Sequence, residues 1–248
     1  MTRRSPPARP AGQTRDTIRV AVVTGAGRGI GRATAEAFAA AGYAIVVAEV
    51  RAELGHRTER VLLQSGAQAL FLRTDVSDPA SIDEAVRAVI DRFGRIDCLV
   101  NNAGVLRPGP LLKLPVRDLD RMLAVNLRGP ILFARAVEPV MVRQRSGSIV
   151  NVASQLGKVG MAEYATYCAS KFGVVGFTQA LADELEGTHV RVWAVCPGLV
   201  DTAMARQTGV SAGERRGLIR PASVARVIVD LATGRRREES GAAVDVTS

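Results

Sequence analysis

Cysteine is scarce: Cys98, Cys168 and Cys196 are the only three, with no Cys-x-x-Cys spacing. An odd, scattered set in apolar surroundings excludes a disulfide framework and points to reduced packing thiols in cytoplasm. Histidine is rarer still. His56 and His189 lack ligand spacing to each other or to a cysteine, so no metal site is expected. No apolar run approaches the roughly 20 residues that span a bilayer. The basic start, Met1-Thr2-Arg3-Arg4-Ser5-Pro6-Pro7, has no apolar stretch behind it, which argues against a secretory or twin-arginine signal. Aromatics make up 4% of the chain, so a core drawn from its 47% hydrophobic residues is aliphatic. Lysine occurs only at Lys113, Lys158 and Lys171, leaving thirty of the 33 basic residues as arginine. The net charge of +9 could suit a polyanion. The arginine bias reads instead as coding composition, and Arg235-Arg236-Arg237 is balanced by Glu238-Glu239 in what reads as a solvated turn. Neither nucleic acid nor membrane is expected as a partner.

What is present suits one domain of 248 residues. Residues 1–17 are rich in proline and arginine and read as a disordered basic tail, leaving 18–248 as the folded unit. Apolar, β-branched runs predict strands near 19–24, 44–49, 69–73, 97–101, 147–152, 190–196 and 242–246. Helices are predicted near 29–41, 52–65, 79–93, 116–143, 162–186 and 221–233. Such alternation means right-handed βαβ units: an α/β, doubly wound domain with a mainly seven-stranded parallel sheet.

Three stretches carry chemistry. In Tyr167-Cys168-Ala169-Ser170-Lys171, tyrosine and lysine lie four apart on one helical face. An ammonium beside a phenol favours the phenolate, lowering a pKa normally about 10 and giving a general acid/base. Ser154, thirteen residues upstream, can hold a carbonyl or carbinol oxygen beside that phenol. Second, the apolar run Val20 to Val23 enters Thr24-Gly25-Ala26-Gly27-Arg28-Gly29-Ile30-Gly31 and then an alanine-rich helix. Strand, glycines and helix N-terminus in that order form a pyrophosphate site. Third, Asp97-Cys98-Leu99-Val100 leads into Asn101-Asn102-Ala103-Gly104, a loop at the carboxyl edge of the sheet, where ligands bind. Tyr164 is a decoy: Lys171 lies seven residues away, so it packs or lines a substrate pocket.

With these residues together, the chain resembles the short-chain dehydrogenase/reductase family from about Arg19 to Val246, nearest its 3-oxoacyl-carrier-protein reductase-like branch. Gly25-x-x-x-Gly29-x-Gly31, Asn101 to Gly104, Tyr167 to Lys171 and Pro197-Gly198 carry the likeness, and Asn126 and Ser154 fall where the family's other two catalytic residues belong. The resemblance implies a Rossmann fold and hydride transfer between a nicotinamide cofactor and a carbonyl or secondary alcohol. It implies that Tyr167 moves the proton, Lys171 lowers its pKa and binds the nicotinamide ribose, Ser154 orients the substrate oxygen, and Asn126 helps hold a relay water. Cofactor contacts would come from Gly25, Gly27, Arg28, Gly29, Ile30, Gly31, Asn102, Ala103 and Gly104, with Asp75 and Val76 at the adenine. Tyr167, Lys171, Pro197, Gly198, Val200 and Thr202 would meet the nicotinamide half. Family members commonly form dimers or tetramers through two long helices, which would place Leu132, Phe133, Phe172 and Phe177 in a homodimer or homotetramer contact.

Glu49, ending the second strand, would accept hydrogen bonds from the adenosine ribose and repel a 2′-phosphate, favouring NAD. Arg28 and Arg51 argue for NADP as the runner-up. Gln155, Leu156, Met161, Tyr164, Leu199 and Met204 are the candidate pocket residues, admitting a 3-oxoacyl thioester, cyclic polyol, sugar or natural-product ketone. Residues 200–219, carrying Gly209, Gly213 and Gly217, read as a lid. Two other readings stand beside this one. Extended-type epimerases and dehydratases share Tyr-x-x-x-Lys but usually carry a larger C-terminal domain, and only 77 residues follow Lys171. A non-catalytic NAD(P)-sensing relative would be expected to lose part of the Asn126, Ser154, Tyr167, Lys171 tetrad. Trp193 and the missing Gly-Gly near Val246 depart from the family pattern.

Overall fold

The computed structural model describes residues 18–208 and 217–247. The N-terminal tail and residues 209–216 of the predicted lid therefore lie outside the described residues. The apolar runs become strands β1 (Val20–Thr24), β2 (Ala44–Glu49), β3 (Ala69–Arg73), β4 (Cys98–Asn101), β5 (Gly147–Val152), β6 (Val190–Pro197) and β7 (Ala243–Val246). All pair in parallel in the order β3-β2-β1-β4-β5-β6-β7. The order reverses between β1 and β4, and the carboxyl ends of those strands open the crevice where ligands bind.

Between the strands run α1 (Gly29–Ala40), α2 (Ala52–Gln64), α3 (Pro79–Phe93), α4 (Val116–Leu123), α5 (Gly129–Gln144), α6 (Ala165–Glu184) and α7 (Pro221–Thr233). Successive strand residues point to opposite faces. Ala21 and Val23 of β1 pack with Phe38 of α1 and Ile228 of α7, while Val20 and Val22 pack with Ile82 of α3 and Val137 of α5. Local chemistry sets the helix ends, as in α3. There Asp78 accepts from the Ala80 N–H at 3.0 Å, Pro79 supplies a fixed φ, and Gly94 closes the helix at φ 74°.

The predicted helix 116–143 is two helices. A π-helical turn, Ala124–Arg128, separates α4 from α5. Pro130 accounts for it: proline has no N–H to give the Asn126 carbonyl four residues back, and its ring crowds that carbonyl. The predicted helix 162–186 begins three residues later, at Ala165. Phe133, read as an exposed contact residue, is fully buried against the sheet, and Leu132 and Phe177 are partly buried beside it. Only Phe172 of that set is exposed. Trp193 is fully buried on the α7 side, with Nε1 donating to the Glu238 carbonyl at 3.2 Å. Its neighbours Ala194 and Cys196 face Val174 of α6 instead.

Candidate active site

The glycine loop and the amide loop are laced together by Thr24, the last residue of β1. Its hydroxyl accepts from the Asn102 and Ala103 N–H groups at 2.9 and 3.0 Å and donates to the Val100 carbonyl at 3.3 Å. The Asn102 side chain returns the tie, donating to the carbonyls of Thr24 at 2.9 Å and Gly25 at 3.2 Å. Gly25 holds φ 62°, and a Cβ there would sit 2.9 Å from the Ala103 Cα, so a side chain is excluded twice over. At Gly31 a Cβ would collide with the Gly25 carbonyl.

The chain then enters α1, whose N-cap residue, Arg28, makes no side-chain capping bond; no acidic residue lies in the first turn. Gly29 and Ile30 line the cleft at this helix end. Uncapped N–H groups facing a cleft form a donor set for phosphate oxygens, so the residues present fit a dinucleotide. At its far wall Glu49 is buried. One carboxylate oxygen accepts from the Gly27 N–H at 3.1 Å, and the other accepts from the Arg51 N–H at 3.1 Å and Nε at 3.4 Å. Partial desolvation at the exposed rim, then repulsion from Arg51, lowers the pKa of the Arg28 guanidinium from its usual range. Asp75 and Val76 both line the cleft. The Asp75 carboxylate also turns its own loop, accepting from the Ser77 N–H at 2.9 Å and hydroxyl at 2.6 Å.

Tyr167 and Lys171 stand one turn apart near the start of α6, the phenol ring half-buried and the lysine buried. The Lys171 ammonium lies 5.7 Å from the ring centroid and donates to the Val152 carbonyl at 2.7 Å. The lowered phenol pKa expected from charge alone is not what this geometry gives. Burial pushes Tyr167 up to about 12, against the opposing Ser154 hydrogen bond. Burial likewise pulls Lys171 down to about 8. The Ser154 hydroxyl, two residues past β5, also accepts from the Leu156 N–H at 3.1 Å.

Asn126 is fully buried in the π turn. Its carboxamide pairs with the Val105 backbone, accepting the N–H at 2.8 Å and donating to the carbonyl at 2.9 Å, and also reaches the Ser170 hydroxyl at 3.3 Å. Both its N–H hydrogens are thus engaged by protein.

One cleft of about 1000 Å³ gathers these groups. Gly25, Arg28, Gly29, Ile30, Glu49, Asp75, Val76, Asn102, Ala103 and Gly104 line one part; Ser154, Gln155, Tyr164, Tyr167, Lys171, Pro197, Gly198, Val200, Thr202 and Met204 line the other. Gly27, Gly31 and Asn126 stand behind the wall and act through their neighbours. Sequence reasoning missed Thr24, which reads as an ordinary strand-end residue, and the Arg107–Asp118 pair at 3.8 Å on the rim. Only long-range pairing reveals either.

Comparison with known proteins agrees with this geometry. Residues 19–211 match the family model described as short chain dehydrogenase. A 3-oxoacyl-[acyl-carrier-protein] reductase of Thermotoga maritima is 36% identical over 92% of this chain and 96% of its own length. D-threitol dehydrogenase of Mycolicibacterium smegmatis is 43% identical over 75% of this chain and 72% of its own. The crystal structure of levodione reductase superposes with a TM-score of 0.86 at 30% identity, covering 92% of this chain and 95% of that one. The chain therefore belongs to the short-chain dehydrogenase family, as an oxidoreductase that moves hydride between a nicotinamide cofactor and a carbonyl or secondary alcohol.

Proposed function

We propose that this enzyme interconverts a ketone and its secondary alcohol with Tyr167 as the proton-transfer group, preferring NAD over NADP, as a cytoplasmic homodimer or homotetramer. The observation that carries the reading is the Tyr167 phenol on the cleft wall with Ser154, and the Lys171 ammonium buried one turn away. When bound, the nicotinamide supplies or accepts the hydride. The protein does the rest. Ser154 orients the substrate oxygen, and Tyr167 gives that oxygen a proton in reduction or takes it in oxidation. At neutral pH the phenol is protonated, the form that gives its proton in reduction. Asn126 and Val105 hold the adjoining wall, and Lys171 supports the ribose side of the cleft. Asp75 and Val76 serve the adenine, and Pro197, Gly198, Val200 and Thr202 the nicotinamide end.

For the substrate, Leu156, Met161, Leu199 and Met204 offer an apolar lining with the Gln155 amide among them. That favours a 3-oxoacyl thioester or apolar ketone over a polyol, which needs more fixed hydrogen-bond partners. Burial raises the Cys98 and Cys196 thiols, in keeping with unreactive cysteines in a reducing compartment.

The test is turnover of a ketone and alcohol panel followed at the nicotinamide absorbance. Tyr167→Phe should lose ~10²–10⁴-fold in kcat, while Tyr164→Phe keeps most activity. Equal losses at the two tyrosines, or an active Tyr167→Phe enzyme, would sink the assignment.

A further inference from the structure

Ser170 belongs to none of the groups assigned above, yet it is fully buried one turn from Tyr167 and bonded to two of them. A single peptide unit sets its surroundings. Val105 offers its N–H to Asn126 Oδ1 at 2.8 Å and its carbonyl to Asn126 Nδ2 at 2.9 Å. That pairing permits one orientation of the carboxamide, because the flipped amide would set NH₂ against N–H and oxygen against oxygen. The second Nδ2 hydrogen then points at Ser170 Oγ, 3.3 Å away. Accepting there turns the serine hydrogen toward the Tyr167 carbonyl, 2.7 Å from Oγ. One polarised chain runs from the loop after β4, through the π turn, to the backbone of Tyr167.

Serine inside a helix often bonds a carbonyl three or four residues back and does nothing more. Two observations set Ser170 apart: it has no exposed surface, and it is the partner of an Asn126 N–H that is itself buried. Removing its hydroxyl strands that hydrogen away from water, which costs more than a lost surface bond. The π turn and α6 are separate elements, and the other contact holding them in place is apolar packing, such as Leu127 against the cluster that contains Val174.

We propose that Ser170 is a positioning residue, fixing Tyr167 relative to Asn126 so that the phenol meets the substrate oxygen in register. The proposal rests on Tyr167 as the proton-transfer group. Ser170→Ala should lower kcat roughly tenfold, since a displacement of about 1 Å at a reacting group can cost about 10²-fold. The KM for the nicotinamide cofactor should stay within about twofold, because the glycine loop and Glu49 are untouched. Ser170→Cys, a weaker donor and acceptor of similar size, should recover part of the loss. Once Asn126 is alanine, adding Ser170→Ala should cost little further, because the chain is already cut. An additive cycle, a wild-type kcat in Ser170→Ala, or matched changes in kcat and cofactor KM would each overturn the proposal. Should Ser170→Ala not fold, Ser170→Cys is read by the same outcomes. Tyr167→Phe measured alongside separates the two failures. Activity there removes the proton-transfer assignment itself, whereas its loss with an unaffected Ser170→Ala removes only the positioning role.

Discussion

Lys171 keeps its ammonium in a place with 5% of its surface exposed, bonded to the Val152 carbonyl and meeting no carboxylate among the described residues. A lone buried cation strains against its own charge, which is why its pKa falls to about 8. The consequence is a stability that depends on pH with a definite sign. The folded value lies below the unfolded value of 10.5, so the unfolded chain binds more protons between about 8 and 10.5. Stability therefore rises with pH through that window. Relative to Lys171→Met, the wild type should gain about 2–3 kcal/mol between pH 7 and pH 10. Tyr167 works in the opposite sense, but only as the pH nears and passes 10, where the unfolded phenol ionises and the folded one does not. Denaturant midpoints of both proteins at pH 7, 8.5 and 10 read the difference; parallel curves would show that Lys171 is solvated after all. The Tyr167–Lys171 spacing was plain in the sequence, but the balance between burial and charge was not, because burial is a property of the finished fold.

At the scale of elements, the carboxyl end of β2 illustrates what a sequence tells and withholds. The strand and its acidic last residue were legible from Ala44 to Glu49, and α2, α3 and α7 fall close to the ranges that the sequence predicted. That Glu49 would be pinned by the Gly27 N–H and by Arg51 was not, since those contacts join two loops across the sheet edge. The π turn was missed for a different reason. Apolar periodicity continues through 116–143, and the one local signal, Pro130 four residues after Asn126, reads as a kink and not as a change of helix type. The pinned carboxylate bears on cofactor choice. It is buried and rigid at the ribose end, whereas Arg28 and Arg51 stand exposed at the rim and their charges are screened there. Measured as kcat/KM, NAD should be preferred by about tenfold or more, a difference of about 1.4 kcal/mol. Glu49→Ala should narrow that ratio and lower stability by about 1 kcal/mol through the lost Gly27 bond. A wild-type enzyme about tenfold better with NADP would mean the two arginines prevail.

The whole molecule leaves apolar surface where α4 and α6 pack side by side. Phe172 is 45% exposed on α6, Val116 is 71% exposed at the start of α4, and Leu111 and Leu112, just before it, are 61% and 98% exposed. Isolated apolar residues on a surface need no explanation, but four on successive and adjoining elements are where the proposed subunit contact is to be sought. The sequence named the two long helices and the exposed Phe172, but also set Phe133 among the contact residues. In so apolar a stretch as 129–144, periodicity does not separate the buried side from the open one, and Phe133 proved to be core. The net charge of +9 opposes self-association at low salt and is screened as salt rises. Light scattering at micromolar protein in about 0.15 M salt should therefore report a dimer or tetramer. Phe172→Asp should shift the population toward smaller species, because a carboxylate buried at an apolar contact costs several kcal/mol. Its thermal midpoint in the dissociated state should match that of dissociated wild type, since the residue is half-exposed and contributes little to the core. A wild-type monomer under these conditions would remove the assembly, and an unchanged Phe172→Asp oligomer would move the contact to another face of the molecule.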